Sequence, residues 1–537
     1  MGLLNQDLKE LLFFSIFPLI VIILMALITR RASDSGKKKM VIPGPKGIPI
    51  LGHLHLMKNP THITLHQMSQ KYGEIFSLRL GVKPVVVLSS PSTIEECLAK
   101  NDVIFADRNH TVAAKLVNYN ATTMSLASYG DYWRNMRRVT AVEIFSNKRI
   151  EMFATIRQEE TRYFLAGLLE EYNKHVVVSS SSSSSSANAF VNFKVTPRPK
   201  LADLTYNITM RMIGGTNSVD DIHEKGKQFA EVVKEALRYH GDQNLEDFIP
   251  AFRYLDVNGL KKKMVDLMTR IDKLLENLLL KNCNNTNIAA TQGGSLKEKK
   301  AFIDTLLALQ ESEPEFFTHQ TIKAIILSLI GGGSETTVTT LEWAMSLLLN
   351  NPNAMQKAVE EIEKVVGRDR LLEDRDVPKL SYLNNVIIET LRLYPPLPLL
   401  LPHKSREDTQ IAGYHIPKGT LAMFSLWTIH RDPKLWDEPD KFKPERFDQK
   451  EDIGVGNQGY NLLPFGLGRR SCPATNSTKR LLTFVLGAMI QAFEFNLVNG
   501  VENVDMTPGN GVIMAKSNPL EVFIRPRQIT VQTFGSE

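Results

Sequence analysis

Cysteine is scarce in this chain. Cys97, Cys283 and Cys472 are the only three in 537 residues. An odd, low count argues against a disulfide framework and for a reducing compartment. Domain linkers are missing from the interior. The length would ordinarily suggest about three or four domains, but it is read here as one large body. Charge of a single sign is also modest: 64 Lys and Arg against 58 Asp and Glu leave +6 and a pI near 8.9. The basic blocks are local and form no continuous stripe, so nucleic-acid binding is set aside. An anionic membrane surface or an acidic redox partner suits the excess better. Phosphate loops are lacking too. Gly331-Gly-Gly-Ser334 has no Lys-Ser/Thr after it. Gly454-Val-Gly-Asn-Gln-Gly459 matches the dinucleotide fingerprint in letters alone, because no β-α-β unit surrounds it. What is plentiful is apolar residue, 43% of the chain, enough for a large core.

Residues 11–28 are apolar except for Ser15 and Pro18. As a helix they would span about 27 Å, the thickness of a bilayer's hydrocarbon core. Arg30, Arg31 and Lys37–Lys39 follow, while Asp7, Lys9 and Glu10 precede. That asymmetry puts everything after residue 30 in the cytosol. The competing reading, a cleaved secretory signal, lacks a basic start and a small-residue cleavage site. The expected organisation is a membrane anchor over 1–30, a basic and proline-rich connector over 31–52 (Pro43-Gly-Pro45, Gly47, Pro49, Gly52), and one body over 53–537. The Asn109-His-Thr111 and Asn207-Ile-Thr209 sequons are read as chance, because a cytosolic domain does not meet the glycosylation machinery.

Two strands are expected over residues 75–88, with a turn at Gly81. Helical patterns dominate the middle: 229–237, 264–280, 341–350 and 383–393. A second short sheet is expected near 411–426, turning at Pro417 and Gly419. Eight serines, Ser179–Ser186, and the polar stretch 282–294 read as surface loops. The class is mostly α with small β-sheets (α+β).

Four constellations carry chemistry. In Pro464-Phe465-Gly466-Leu467-Gly468-Arg469-Arg470-Ser471-Cys472-Pro473-Ala474, the glycines permit a tight turn beneath a flat cofactor. The arginines offer donors to an anion, and Cys472 offers a thiolate. An isolated cysteine is ordinarily a small buried hydrophobe, but this spacing sets it apart. The apolar run 481–486 that follows reads as a helix. A second apolar pattern, 321–349, is interrupted by Gly331, Gly332, Gly333, Ser334, Glu335, Thr336 and Thr337. Three helical glycines cost about 1 kcal/mol each, so close approach of a ligand or a distorted turn is expected. Glu335-Thr336 could relay protons; a tolerated kink restarted by Ser/Thr is the plainer alternative. Third, Glu389 and Arg392 share a helix face at i,i+3. Their apolar helix ends at Tyr394-Pro-Pro396 and suggests a buried pair needing a further partner; Arg446, in Pro444-Glu-Arg-Phe447, could supply it. Fourth, Trp133 and Arg137 lie four apart on one face. The plainer alternative is a surface helix with Arg134, Arg137 and Arg138 in solvent; those charges would also suit an acidic reductase.

In order and spacing these four motifs resemble those of the cytochrome P450 family, the haem-thiolate monooxygenases, over nearly the whole chain. The resemblance implies that Cys472 is the axial ligand of haem b iron, in a loop that includes Phe465 and Gly466. It places Trp133, Arg137, Arg470 and His403 on the haem propionates. Glu335 and Thr336 would guide protons to the haem. Glu389, Arg392 and Arg446 would hold the region behind the cysteine loop. The family usually has glycine two residues after the cysteine, where Ala474 stands here. More finely, Pro49–Leu56, Ala127–Arg134 and Leu401–Lys404 resemble plant microsomal members similar to the isoflavone 2'-hydroxylases. The serine run, residues 216–249 and residues 472–478 depart from that pattern, and the second of these would help line a substrate entrance. Pocket walls implied by the resemblance are Met124, Leu327, Ile330, Gly332, Leu397, Leu399, Leu400, Val512 and Ile513; any apolar one is as readily ordinary core. The implied protein sits in the endoplasmic reticulum membrane by a single pass and faces the cytosol. It inserts one atom of O2 into a small hydrophobic plant metabolite, phenolic, flavonoid-like or terpenoid, with electrons from NADPH through a separate NADPH-cytochrome reductase. Three other outcomes stay open: oxidative coupling or ring closure by the same haem; a reductase-independent isomerase or dehydratase, against which Glu335-Thr336 argues; and a non-catalytic haem-binding membrane protein.

Overall fold

The computed structural model describes residues 40–182, 193–215, 219–241, 244–254, 256, 259–291, 301–448, 459–498 and 500–535. The apolar segment 11–28, most of the Gly454–Gly459 stretch and the end of the serine run lie outside the described residues.

Helices build the bulk. The glycine-bearing pattern forms two helices, His319–Gly333 and Glu335–Asn350, that meet at Ser334. Each half nucleates its own core. Around the first pack Asp131–Glu143, Val219–Gly241, Leu260–Thr291 and Phe302–Ser312, through Trp133, Phe229, Leu275, Phe302 and Ile326. Around the second pack Pro352–Val366, Ser381–Leu393 and Thr475–Ala492, through Leu341, Ile362, Leu383 and Val485. The functional site lies where the halves meet.

The strands are β1 (Ile75–Leu80), β2 (Lys83–Leu88), β3 (Asp107–Arg108), β4 (Phe193–Val195), β5 (His403–Lys404), β6 (Thr409–Ile411), β7 (Tyr414–Ile416), β8 (Leu421–Phe424), β9 (Phe493–Leu497) and β10 (Val522–Pro526). One sheet runs β1-β2-β8-β5-β3, with β2 and β8 parallel; β4-β10-β9 and β6-β7 form two others. The β3–β5 ladder is only two residues long, yet it sets Arg108 opposite His403.

Four expectations change. The turn expected at Pro417 and Gly419 does not close the second sheet: β6 and β7 turn at Ala412-Gly413, and β8 leaves to join β2. Residues 282–291, read as a loop, extend the helix Leu260–Thr291. The first serines of the run continue Ala154–Ser182 as helix. The body begins before residue 53: Ser77 donates its N–H to Pro43 O at 2.8 Å, and Gly52 bridges to Leu80, so the connector's second half lies along β1.

Candidate active site

The cysteine loop is a backbone device. Gly466 and Gly468 take left-handed φ of 70° and 69°, so the chain doubles back. Cys472 N–H then bonds Phe465 O at 2.8 Å across the turn, and Gly466 N–H bonds Leu463 O at 3.0 Å. The helix Thr475–Ala492 starts at once. Burial pushes the Cys472 thiol up; the N–H of Ala474, the Arg137 guanidinium and the Thr475 hydroxyl pull it back toward the thiolate.

Opposite the loop, one cavity of about 300 Å³ is bounded by Cys472, Phe465, Gly466 and Ala474 on one side and by Ser328, Leu329, Gly332, Gly333 and Thr336 on the other. The helix break at Ser334 has a local cause. Ser334, Thr336 and Thr337 turn their hydroxyls back onto the carbonyls of Ile330, Gly332 and Gly333 at 3.0, 2.8 and 2.7 Å, competing with the backbone ladder. A Cβ on Gly332 would meet no protein atom within 4 Å, so the glycine leaves the groove open.

At one end the cavity is cationic. Arg470 donates to the carbonyls of Ala106 (2.7 Å), Met124 (3.3 Å) and Ala127 (2.5 Å), and its guanidinium lies 4.5 Å over the Trp133 ring. Arg108 donates to the carbonyls of Ser125 (3.1 Å) and Leu401 (2.7 Å). Among the described residues no carboxylate is ion-paired to Arg108, Arg137 or Arg470. Burial and the proximity of Arg470 draw Arg108 down to about 9. Burial also draws Arg470 down, to about 10, and lowers Arg137. His403 donates Nδ1–H to Phe105 O at 2.8 Å. Burial, then Arg108, hold its ring neutral, with its pKa well below the usual value. A neutral His403 therefore offers Nε2 as an acceptor only; it can bind a carboxylate only by gaining a proton.

Behind the loop lies a buried polar knot. Arg392 and Glu389, both fully buried, pair in fork geometry at 2.7 and 2.8 Å. Arg446 Nε reaches the same carboxylate at 2.9 Å, and Lys443 N–H at 3.0 Å. Arg392 also donates to the carbonyls of His430 and Pro439 at 2.5 and 2.7 Å. His430 is the link to the cysteine loop. Its Nδ1–H donates to Arg392 O at 3.0 Å, and its Nε2 accepts Leu463 N–H at 3.2 Å. Burial, then the nearby Arg392, drop it to about 3, so the ring stays neutral and both bonds persist.

The structure thus gathers Cys472, Phe465, Gly466, Trp133, Arg137, Arg470, His403, Met124, Gly332, Thr336, Leu397 and Leu400 around one cavity. Six expected residues lie elsewhere. Glu335 does not face the cavity: it pairs with Arg198 of the helix Pro197–Gly214, which also holds Glu342 at 2.6 Å. Leu327 and Ile330 point into the helical core, because the cavity face of their helix is set by positions 328, 329, 332 and 333. Leu399 packs against the β1-β2 sheet. Val512 lies against Gly241, and Ile513 sits in the turn capped by Met514 N–H on Pro396 O. Sequence reasoning missed Arg108, Ser328, Leu329 and His430. A lone hydroxyl inside Ile325-Ile-Leu-Ser-Leu-Ile330 was the available signal for Ser328; Arg108 and His430 carried none.

This donor set fits a haem: one thiol on a double-glycine turn, a groove left open by glycine, and three guanidinium groups at one end that no carboxylate among the described residues ion-pairs, although Asp107 and Asp102 lie close enough to act on Arg470. The cytochrome P450 family model matches residues 42–523. An isoflavone 3'-hydroxylase from Medicago truncatula is 39% identical over 96% of this chain and 98% of its own. An isoflavone 2'-hydroxylase from Glycyrrhiza echinata is 38% identical over 98% and 100%. A (+)-piperitol/(+)-sesamin synthase from Sesamum radiatum is 37% identical over 94% of each chain. A zebra fish cytochrome P450 solved with progesterone superposes with a TM-score of 0.69 at 24% identity, over 88% of this chain and all of that one.

Proposed function

The chain belongs to the cytochrome P450 family and is a monooxygenase, and from that premise we propose that it hydroxylates a plant phenolic of flavonoid or lignan type. The observation that carries the reading is one apolar cavity with Cys472 and Thr336 on facing walls and, at one end, cations that no carboxylate among the described residues ion-pairs. When bound, haem supplies oxygen activation, and the thiolate's electron density promotes O–O cleavage.

The chain's own residues do the rest. The loop bond from Cys472 N–H to Phe465 O fixes the sulfur's position. Arg137, Arg470 and Arg108 would hold the propionates, and burial would make each charge-assisted bond stronger than it is in water; Trp133, whose one N–H goes to Met124 O, would position Arg470 by stacking under its guanidinium. Met124, Leu329, Leu397, Leu400 and Leu401 exclude water and leave an aromatic ring few ways to lie. Thr336 spends its hydroxyl proton on Gly332 O, so its oxygen can accept a hydrogen bond from the cavity, and it can pass its own proton on only by turning away from that carbonyl. Glu335 joins that relay only after leaving Arg198.

Electrons come from NADPH through a separate reductase. Residues 11–28 and the basic cluster after them support a single-pass anchor in the endoplasmic reticulum with the body in the cytosol. The hydroxylase names of two relatives support an aromatic ring as target. A relative named as a synthase, about as similar, keeps oxidative coupling or ring closure as the second reading.

The test is the full chain in microsomes with a plant reductase and a panel of isoflavones, lignans and terpenoids. The expected result is a thiolate-type spectrum of the reduced CO complex and NADPH-dependent product one oxygen heavier. Product formed by loss of hydrogen alone supports the second reading. A spectrum without the thiolate signature, or conversion without NADPH, overturns the proposal.

A further inference from the structure

The peptide of Met124 is a three-way junction between the walls of the cavity. Its N–H bonds Ser328 Oγ at 2.9 Å. Its carbonyl accepts Trp133 Nε1–H at 3.0 Å and Arg470 at 3.3 Å. Its sulfur lies 3.4 Å from the Thr140 hydroxyl, whose proton is nearer the Met136 carbonyl at 2.9 Å, and the residue itself lines the cavity. Ser328 is oriented for this. Its own proton goes back to Ala324 O at 2.6 Å, which leaves the oxygen's lone pairs for one donor from outside the helix.

We propose that Ser328 is a positioning residue that determines how aromatic ligands are seated. By accepting the Met124 N–H, it fixes the Met124 side chain on the cavity wall and holds the Met124 carbonyl under Trp133 and Arg470. The inference rests on the haem-monooxygenase reading and assigns the origin of the shape of that site. Removing the hydroxyl leaves a half-buried N–H without a partner, and the segment shifts to find one. The wall then moves where a ring would touch it, while the Cys472 sulfur, held from the other side of the cavity, stays.

The test uses the haem-loaded full chain and two nitrogen ligands of the iron, followed by difference spectra. Imidazole reports the iron alone; 4-phenylimidazole also presses a ring on the wall. Ser328→Ala is expected to weaken 4-phenylimidazole at least about fivefold while imidazole binding stays within about twofold, and Ser328→Thr is expected to restore the wild-type ratio. Met124→Leu keeps the junction's backbone and changes only the side chain. It should shift the same ratio, and the double variant should show less than the product of the two single effects. An unchanged ratio in Ser328→Ala, or a double effect equal to that product, overturns the inference. Should Ser328→Ala fail to load haem, a Ser328→Thr ratio matching wild type supports the role, and a ratio as altered as that of Met124→Leu overturns it. Loss of imidazole binding in the wild-type protein would instead refute the haem reading, so the two failures are distinguishable.

Discussion

Gly468→Ala should strip haem from the protein, for a reason separable from glycine's flexibility. At φ 69° an alanine costs about 1–2 kcal/mol in backbone strain alone. Its Cβ would also stand 2.4 Å from Leu98 O and 2.7 Å from Asp102 Oδ1. Reaching ordinary contact requires a retreat of about 1 Å. Leu98 cannot give way cheaply, since it is core. The loop must therefore move, and it breaks the bonds from Arg469 N–H to the Asp102 carboxylate at 3.1 and 3.2 Å. Overpacking of this kind adds about 1–3 kcal/mol, and the displacement lies four residues before Cys472. Gly367→Ala is the control, with φ 85° but nothing within 4 Å of the new Cβ. The assay is haem per polypeptide in the purified full chain, with the midpoint of thermal unfolding. The expected result is a small fall in midpoint and full haem for Gly367→Ala, against a large fall and most of the haem lost for Gly468→Ala. Equal behaviour of the two variants would refute the clash argument.

Glu389→Gln leaves the buried Arg392 and the half-buried Arg446 without their shared carboxylate, so a loss of about 3–5 kcal/mol is expected. It should appear as absent soluble haem protein, with no change of product in whatever fraction survives. Thr336→Ala should let NADPH consumption continue while product falls by about tenfold or more and peroxide rises; tight coupling in the variant would count against the relay. Acid sensitivity follows from the buried histidines. Burial, with Arg431 as a lesser cause, lowers His62 to about 4; burial lowers His240 to about 4; burial, then Arg392, lowers His430 to about 3. The unfolded chain takes up protons near pH 6.5 and the folded one does not. Stability is therefore whole above that pH and falls by up to about 1.4 kcal/mol per pH unit for each histidine as the solution is acidified toward 4. Thermal midpoints between about pH 7.5 and 5 test this: His240→Gln should flatten the slope, and a midpoint that does not change with pH would contradict it.

Cys472, Arg470 and Phe465 could be found because their geometry is local. A turn over eight residues places all three, and glycine spacing reports the turn. Trp133 and Arg137 were legible for the same reason, as a helix face. Arg108 was not. Its place depends on β3 pairing with β5 and on a bond to Leu401, 293 residues away, and no short window encodes that. Leu327 and Ile330 show a different limit. Residues 322–330 are apolar almost all round, so hydrophobic periodicity cannot say which face meets a cavity and which meets core. Glu335 was legible as an acid beside a hydroxyl, but its partner Arg198 lies on a helix 137 residues earlier in the chain. The loop expected at 282–294 failed over 282–291 because asparagines and threonines disfavour helix only weakly, and Leu260–Thr291 simply continues through them.

The guanidinium cluster has a thermodynamic side. Arg108, Arg137 and Arg470 are brought together by folding and out of water, so without an anion they oppose the fold that assembles them. A cofactor carrying two carboxylates reverses that sign, since it binds the folded chain and has no comparable site on the unfolded one. Folding and loading are then one coupled equilibrium. The concentration of free haem in the cell becomes a determinant of how much of this chain persists, and a substitution in the cluster would show first as lowered abundance, with altered catalysis following from it.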